Sequence, residues 1–502
     1  MPQLARQAER TPDKTCAFFP ETNESLDFRA LDEGANRIAN GLVALGLQPG
    51  EGVALLLPNS PDFLLALYGA KRAGLMVTPL SIHLRPQEVA HVLRDSGARL
   101  IIADAALEGL AAALDLAGVP HRYATGGGLP GFAPFAWLSS GQPATWPEPP
   151  RPIGRDFLYS SGTTGLPKGI QRPLIPWEKR HDPEFDMTWK ALYGFDADTV
   201  YLSPAPLYHA APLRYVQRAM DGGGSAVILR KFDAEACLRT IQQCGVTHSQ
   251  WVPTMFGRLL ALPEATRAAY DLSTHRCAIH AAAPCPPGVK RAMIEWWGPI
   301  LREYYAGSEG VGTTVISSEE WLRRPGSVGR PAYGAVHVTD EEGRELPPGE
   351  VGRIWFSGGA RFAYHNDPEK TAACYNEKGW ASLGDLGWLD EEGYLFLSDR
   401  RADLILSGGV NVYPAEIEAV LAQHPDVSEC AVIGVKDDDL GEVPMALVVP
   451  RGEAPDAAAV LAHCRAHLGR LKVPRTVEFV EELPRSEAGK LMRRLLKERF
   501  LA

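Results

Sequence analysis

Hydrophobic residues recur along the first hundred positions in two alternating patterns. Residues 29–46 carry them at helical spacing, and Gly46 with the Pro49-Gly50 turn ends that predicted helix. Residues 53–57 are continuously apolar, which indicates a strand buried on both faces. A helix at about 61–73, a strand near Val77 and a buried strand at 98–103 repeat the alternation. Strands that alternate with helices in this way predict a parallel α/β sheet.

The pattern changes further along the chain. Residues 124–156 are rich in Gly and Pro and predict a linker, alternation returns over 196–300, and residues 326–400 are typical of strands joined by Gly turns. After residue 400 we expect a helix from Ala415, strands at 427–435 and 444–449, a helix at about 456–468, a strand at 476–480 and a final helix. The predicted fold class is α/β. A large N-terminal domain over 1–399 has α/β sheet subdomains plus a β-rich subdomain, and a small α+β domain occupies 400–502.

Composition narrows the functional classes. The formal net charge of the 502 residues is −10, which argues against nonspecific nucleic-acid binding. The first ten residues lack the apolar core of a signal peptide, and no apolar run is long enough for a membrane span. The eight cysteines are scattered without a C-x-x-C pair, as expected of reduced thiols in a cytoplasmic protein. A homodimer is the default expectation for an oligomer.

The run from Tyr159 to Gly169 carries the strongest chemical signal. Glycines let backbone N–H groups close around an anion, hydroxyls add donors, and a lysine adds a mobile positive charge. Pro167 precedes Lys168 and Gly169 follows it, so the run is not a G-x-x-x-x-G-K-[ST] P-loop. On its own, such a run is equally typical of a flexible surface loop. As a nucleotide site, its candidate ligands are Ser160, Ser161, Gly162, Thr163, Thr164, Gly165 and Lys168.

This run resembles the phosphate-binding signature of the adenylate-forming superfamily, in its acyl-CoA synthetase and fatty-acid–CoA ligase branch. Further stretches resemble that superfamily in the same order and span most of the chain: Tyr305-Ala306-Gly307-Ser308-Glu309, Trp380 to Asp385, Asp399 to Asp403, Ser407 to Glu418 and Pro484 to Lys490. Two positions depart from the pattern. Ala306 replaces the usual glycine, and Ala402 occupies the hinge position that normally holds a charged residue.

The resemblance implies roles for individual residues. Tyr305 stacks near adenine, Ser308 touches phosphate, and Glu309 acts with Thr163 to hold Mg²⁺. Magnesium prefers one or two carboxylates plus substrate phosphates, which suits a single glutamate. Asp385 accepts hydrogen bonds from the ribose hydroxyls, and Arg400 contacts the nucleotide. The remaining positions that it assigns to the nucleotide or acyl site are Ala281, Ala282, Ala283, Ala306 and Gly307.

The resemblance also implies a two-step reaction that uses ATP, Mg²⁺ and CoA. A carboxylic acid first attacks the α-phosphorus to give acyl-AMP, and the CoA thiol then releases AMP and forms the thioester. Lys490 bridges the substrate carboxylate and the α-phosphate in the first step, where negative charge builds up. Ser407, Gly408 and Gly409 admit the slender pantetheine chain of CoA in the second step. The resemblance further implies that the domain over 400–502 is mobile and exchanges Lys490 for these glycines between the two steps.

Three rival functions share some of these motifs. A peptide-synthetase module holds the substrate amine with an aspartate near residues 207–210, and none is present there. A standalone enzyme that loads an acyl or aryl group onto a carrier protein stays open. A noncatalytic nucleotide-binding regulator is expected to have lost one of four residues that are all present here: Glu309, Asp385, Arg400 and Lys490.

The acid itself is only coarsely indicated. Residues Trp251 to Phe256 predict an apolar, roomy slot, which favours a hydrophobic acid that is medium or long, alicyclic or aromatic. His209 is a candidate gating residue and a catalytic candidate, with a plain buried histidine as the alternative. Arg214 is expected to face solvent, the alternative being a second polar group on the substrate.

Overall fold

The computed structural model describes residues 2–160, 168–179, 190–400, 403–407, 410–437, 440–470, 472–485 and 491–500. These residues divide into two units. Unit 1 comprises residues 1–251, 261–279 and 362–371, and unit 2 comprises residues 252–260, 280–361 and 372–502. Each unit is described separately below.

Unit 1 contains a parallel sheet built from the first region of strand–helix alternation. Val53, Leu55 and Leu56 of its central strand are completely buried, because helices cover both faces of such a sheet. The strands lie in the order Ala133–Pro134, His121–Thr125, Ala98–Asp104, Gly52–Leu56, Met76–Pro79 and Arg155–Asp156. Every neighbouring pair in this order is parallel.

A second group of unit 1 strands lies in the order Cys277–His280, His248–Trp251, Val200–Ser203, Ser225–Ile228, Thr15–Phe19 and Glu24–Asp27. A third, antiparallel group is formed by Ala363–Tyr364, Lys168–Gln171 and Leu158–Ser160. The unit 1 helices are Pro2–Arg10, Phe28–Ala44, Pro61–Arg72, Pro86–Asp95, Glu108–Ala112, Ala210–Asp221, Ala234–Cys244 and Glu264–Ala268, with 3₁₀ turns at Ala105–Leu107, Phe135–Leu138 and Trp177–Lys179.

Local sequence sets where the first long helices begin. Asp27 caps the helix Phe28–Ala44 by accepting a hydrogen bond from the Ala30 N–H. Ser60 caps Pro61–Arg72 in the same way, and Pro61 occupies the first turn, where its missing N–H is tolerated. Both helices begin within one residue of the positions that the hydrophobic pattern predicts.

Unit 2 is dominated by antiparallel strands, as the Gly-punctuated sequence predicts. Their order is Ala335–Thr339, Gly352–Ser357, Asp385–Leu389, Leu395–Arg400, Ser327–Tyr333, Thr313–Ser317 and Leu301–Ala306. Each neighbouring pair is antiparallel. The helices of this part are Pro253–Leu260, Pro287–Trp297, Ser318–Arg323 and Pro368–Ala373, the last of which begins in unit 1.

The C-terminal part of unit 2 forms its own mixed sheet. Its strands are Ile405–Ser407, Val410–Val412, Val427–Asp437, Gly441–Pro450 and Thr476–Phe479, with helices at Pro414–Leu421, Ala457–His467 and Arg493–Phe500. Side chains alternate between two small cores, as the pleat requires. Val432 packs with Ile417 and Val460, whereas Ile433 packs with Leu483 and Leu496.

The predicted fold class is confirmed, with α/β sheets, a β-rich region and a small α+β C-terminal region. The linker predicted over 124–156 is only partly correct, since Ala133–Pro134 and Arg155–Asp156 both pair within the first sheet. The predicted boundary between residues 399 and 400 stays a prediction. Among the described helices, none is both long enough and apolar enough to cross a membrane.

Candidate functional site

Several predicted site residues lie outside the described residues. These are Ser161, Gly162, Thr163, Thr164, Gly165, Gly408, Gly409 and Lys490. Ser160 and Arg400 lie on described strands, but their side chains are not described. The geometry below therefore concerns the segments that border them and the remaining predicted residues.

The predicted phosphate loop joins two antiparallel strands of unit 1. Ser160 pairs with Lys168 across these strands, so residues 161–167 connect the paired ends. Gly169 has no room for a side chain, because a Cβ there would lie 2.7 Å from the Phe157 ring and 2.9 Å from the Tyr159 ring. The Tyr159 hydroxyl donates to Asp95 Oδ2 at 2.7 Å. These contacts fix the two strands that carry the loop.

Lys168, predicted to meet phosphate, has a partner within unit 1. Its Nζ donates to Asp367 Oδ2 at 2.5 Å, and both side chains are about one-third exposed. Sequence reasoning missed Asp367. It lies 199 residues from Lys168 along the chain, and no feature of the sequence pairs the two.

Three predicted nucleotide residues meet in unit 2. Tyr305 lies one residue before the end of the strand Leu301–Ala306, and its hydroxyl donates to Asp385 Oδ2 at 2.6 Å. Asp385 is buried, with 8% of its surface exposed, and pairs with Arg400 across two antiparallel strands. The Tyr305 ring lies 6.0 Å from that of Phe356. The structure thus brings together an aromatic ring, a carboxylate and an arginine position that the sequence had given separately.

The turn after Tyr305 places Glu309 over Gly307. A Cβ on Gly307 would meet the side-chain ends of Glu309 and Leu383, so any larger residue there would have to displace both side chains. The Gly310 N–H closes the turn on the Gly307 carbonyl at 3.1 Å. Within the described residues, no three His, Cys, Asp or Glu side chains cluster as a metal site.

The segment Ala281–Ala283 leaves its strand through a strained turn. Ala282 has φ of 78°, a left-handed conformation that is uncommon for alanine. Such strain persists only where the surroundings enforce it and concentrates at functional sites. Ala282 is exposed while Ala281 is buried. No feature of the sequence predicts this conformation of Ala282.

A buried charged cluster supports the same region and was missed by sequence reasoning. Lys290 Nζ donates to Glu303 Oε2 at 2.5 Å, with the two residues 0% and 5% exposed. His280 Nε2 lies 3.9 Å from the same oxygen. Burial, followed by the Lys290 charge, holds the pKa of His280 well below its usual value. Because side chains alternate along a strand, Glu303 and Tyr305 share one face of Leu301–Ala306.

His209 precedes the helix Ala210–Asp221 and is partly buried. Its ring lies 4.8 Å from that of Tyr208. The role of His209 as a gating or a structural histidine stays a prediction. Trp251 in unit 1 and Phe256 in unit 2 are completely buried, and the apolar slot expected from Trp251 to Phe256 stays a prediction.

The expectation that Arg214 faces solvent is wrong. Its Nε and Nη2 donate to Asp156 Oδ2 at 3.1 and 2.9 Å, and its side chain is 21% exposed. Lys71 Nζ lies 3.7 Å from the other Asp156 oxygen. Arg214, followed by Lys71, keeps the pKa of Asp156 far below its usual range despite burial. The sequence alone does not reveal this contact, because the carboxylate partner of Arg214 lies 58 residues away along the chain.

The two predicted C-terminal segments are bordered by defined contacts. Ser407 pairs with Val410 across two antiparallel strands, and these two residues border Gly408 and Gly409 in the sequence. Ser407 itself is completely buried. Arg485 pairs with Leu491 in an isolated bridge, which fixes both ends of residues 486–490. Arg485 also binds Glu429 through Nε at 3.0 Å and Nη2 at 2.8 Å.

Comparison with known proteins agrees with this picture. Residues 4–363 match the profile of the AMP-binding enzyme family, and residues 416–490 match that of the AMP-binding enzyme C-terminal domain. The chain is 34% identical to a feruloyl-CoA synthase of an Amycolatopsis species, over 99% of this chain and 98% of that protein. It is 31% identical to a long-chain-fatty-acid–CoA ligase of Mycobacterium tuberculosis, over 99% and 98%. The crystal structure of ATP-bound MatB from Rhodopseudomonas palustris superposes with a TM-score of 0.86, at 30% identity over 99% and 98% of the two chains.

Proposed function

Because this chain belongs to the AMP-binding enzyme family, we propose that it is an AMP-forming acid–CoA ligase. The observation that carries the proposal is similarity over almost the full length of two acid–CoA ligases that act on unlike acids. In the first half-reaction a carboxylate attacks the α-phosphorus of ATP and displaces pyrophosphate. In the second, the thiol of CoA attacks the acyl-AMP and displaces AMP.

The Tyr305–Asp385 pair supports a nucleotide site. A carboxylate is an acceptor only, which suits two neighbouring ribose hydroxyls. The hydrogen bond from Tyr305 orients that carboxylate, and the ring of Tyr305 offers an apolar face to adenine. We assign Arg400, opposite Asp385, to the same nucleotide.

We assign the triphosphate to residues 160–165 with Lys168. The two paired strands that border this loop hold Ser160 and Lys168 opposite each other at its two ends. Glu309 and Thr163 would hold Mg²⁺ at the phosphates, where the ion neutralises negative charge. Ser308 and Gly307 would border the phosphate, and Ala281–Ala283 would form the wall between nucleotide and acid.

Lys490 and residues 407–409 divide the two half-reactions. We propose that Lys490 serves the first, where charge develops on both carboxylate and phosphate, and that Gly408 and Gly409 admit CoA in the second. Exchange of these segments by the small domain after residue 399 is part of the proposal. The cytoplasmic location and the homodimer expected from the sequence stay predictions.

The Lys490→Ala variant tests this division of labour. Adenylation should fall by about a hundred- to a thousandfold, as when one charge-stabilising group is lost, while supplied acyl-AMP should still be converted to the thioester. Pyrophosphate release and thioester formation are measured separately. Loss of both half-reactions together would contradict the division.

The overall function is tested with the purified protein, MgATP, CoA and a mixed library of carboxylic acids. Acyl-CoA thioesters with equimolar AMP are the expected products, and the acid consumed fastest identifies the substrate class. We expect a hydrophobic acid. Acyl-AMP without thioester would instead identify a carrier protein as the acceptor, and nucleotide binding without any product would identify a noncatalytic regulator.

A further inference from the structure

The segment Ala363 to Thr371 lies beside the base of the phosphate loop within unit 1. Its strand pairs with Lys168–Gln171, with Tyr364 opposite Ile170. The His365 N–H donates to the Gly169 carbonyl at 2.9 Å. The strand that begins with Lys168 is therefore held on both edges, by Leu158–Ser160 on one side and by this segment on the other.

Both carboxylate oxygens of Asp367 are occupied. Oδ1 accepts the Lys370 backbone N–H at 3.0 Å, and Oδ2 accepts Lys168 Nζ at 2.5 Å. The Thr371 hydroxyl donates to the Asp367 carbonyl at 2.8 Å. The carboxylate cannot turn without losing one bond, so it presents one oxygen to Lys168 in a fixed place. The hydrogen bond from Lys168 holds the pKa of Asp367 below its usual value.

A second anchor holds this segment without help from the ion pair. His365 Nε2 lies 2.9 Å from the Asp95 carbonyl oxygen, and Asn366 Nδ2 donates to Asp95 Oδ1 at 3.3 Å. Asn366 has φ of 55°, a turn conformation that asparagine tolerates better than most residues. The position of Asp367 is thus set by the surrounding structure, and Lys168 adapts to it.

We propose that Asp367 is a positioning residue for MgATP. The carboxylate of Asp367 holds the Lys168 ammonium at the base of the phosphate loop. This inference rests on the proposed function. A free lysine side chain must lose rotamer freedom when it binds a phosphate, and a lysine that is already held has lost part of it. An ammonium carries three donors, so the bond to Asp367 leaves two for phosphate oxygens.

The Asp367→Asn variant removes this contact selectively. Asparagine accepts the Lys370 N–H as well as aspartate does, so the start of the helix is kept, while its NH₂ group gives the ammonium no acceptor. Calorimetric titration with MgATP in the absence of acid measures binding without turnover. We expect the dissociation constant to rise by about three- to tenfold, the effect of one side chain that must be ordered on binding.

Two further variants decide whether the effect passes through Lys168. In a Lys168→Met background, Asp367→Asn should change the dissociation constant by less than about twofold, because the coupled partner is gone. Asn366→Gly loosens the same segment, keeps its positive φ and leaves the ion pair in place, so MgATP binding should stay at the wild-type value. Its melting temperature reports any loss of stability.

Three results would overturn the inference. Tighter binding by Asp367→Asn would make the carboxylate a competitor of phosphate, and unchanged binding would make the ion pair irrelevant to ATP. An Asn366→Gly effect equal to that of Asp367→Asn would reduce the role to loop stability. Failure of the wild-type protein to bind MgATP would overturn the proposed function itself and the inference with it.

Discussion

Two lysine–carboxylate pairs in this protein have the same length and opposite surroundings. Lys290 and Glu303 lie 2.5 Å apart in the interior, and Lys168 and Asp367 lie 2.5 Å apart with about 30% of each side chain exposed. A buried pair loses the hydration of both charges, whereas an exposed pair keeps much of it. Distance alone therefore says little about role. Burial ties the first pair to folding, and access to ligand ties the second to binding.

The largest expected effect comes from breaking the buried pair. Lys290→Met leaves Glu303 charged and unpaired in the interior, which should lower the free energy of unfolding by about 3–5 kcal/mol. Urea denaturation followed by tryptophan fluorescence measures it. Lys168→Met is the matched control and should cost less than about 1 kcal/mol. Equal losses in the two variants would contradict the contrast between the pairs.

The exposed pair should reverse that ranking when MgATP binding is measured. Lys168→Met removes a charged hydrogen-bond donor to phosphate and should raise the dissociation constant by about 10- to 100-fold. Lys290→Met, at a temperature where it is folded, should bind MgATP within about threefold of wild type, because Lys290 is completely buried and pairs with Glu303. A larger loss in Lys290→Met would assign the buried pair to the site.

Acid sensitivity should also separate the two clusters. The folded pKa of His280 is depressed below 6.5, so the unfolded chain takes up a proton first as pH falls. Stability contributed by the neutral ring is complete above about pH 6.5 and declines below it, by about 1.4 kcal/mol per pH unit for one proton. His280→Gln should reduce the slope of stability against pH between pH 6.5 and 5.5 by this one-proton amount, while His248 and His275, whose pKa values burial also lowers, keep their contributions. Asp367→Asn should leave that slope intact, because a depressed aspartate titrates at lower pH.

The smallest of these effects is expected at the Tyr305–Asp385 contact, which is partly buried and pairs a neutral donor with a carboxylate. Tyr305→Phe keeps the ring and removes the hydroxyl, so kcat/KM for ATP should fall by about five- to tenfold. For Asp385→Asn, kcat/KM for ATP should fall further, because this substitution also changes the acceptor for the ribose hydroxyls. Steady-state kinetics at saturating acid and CoA measure both. A Tyr305→Phe enzyme as active as wild type would remove the orienting role of this hydroxyl.

Local signals explain why much of the fold could be predicted. Asp27 and Ser60 cap helices that the hydrophobic period had already located, and the C-terminal elements match their predicted positions closely. The short pairings at 133–134 and 155–156 escaped because two-residue strands leave no periodicity to detect. Motif likeness named Tyr305 and Asp385 individually, but their hydrogen bond joins residues 80 positions apart.

Side-chain partners were the least predictable feature of the candidate site. Lys168 and Asp367 are 199 residues apart, and Lys290, Glu303 and His280 belong to no recognised motif. Charge type alone favoured solvent for Arg214, as it does for most arginines. Only the packing of strands and helices reveals that Lys168, Lys290 and Arg214 each contact a carboxylate. The roles proposed for the predicted site residues stay open to the experiments above.

The central claim is that a carboxylate of the substrate attacks the α-phosphorus of ATP. It is tested most directly with an accepted acid that is labelled with ¹⁸O in its carboxyl group. This acid is supplied together with MgATP and CoA, and the masses of the products are measured by mass spectrometry. The account predicts AMP that carries one ¹⁸O atom, in equal amount to the acyl-CoA, because the bridging oxygen of acyl-AMP leaves with AMP. Unlabelled AMP, or ADP with labelled phosphate, would contradict it.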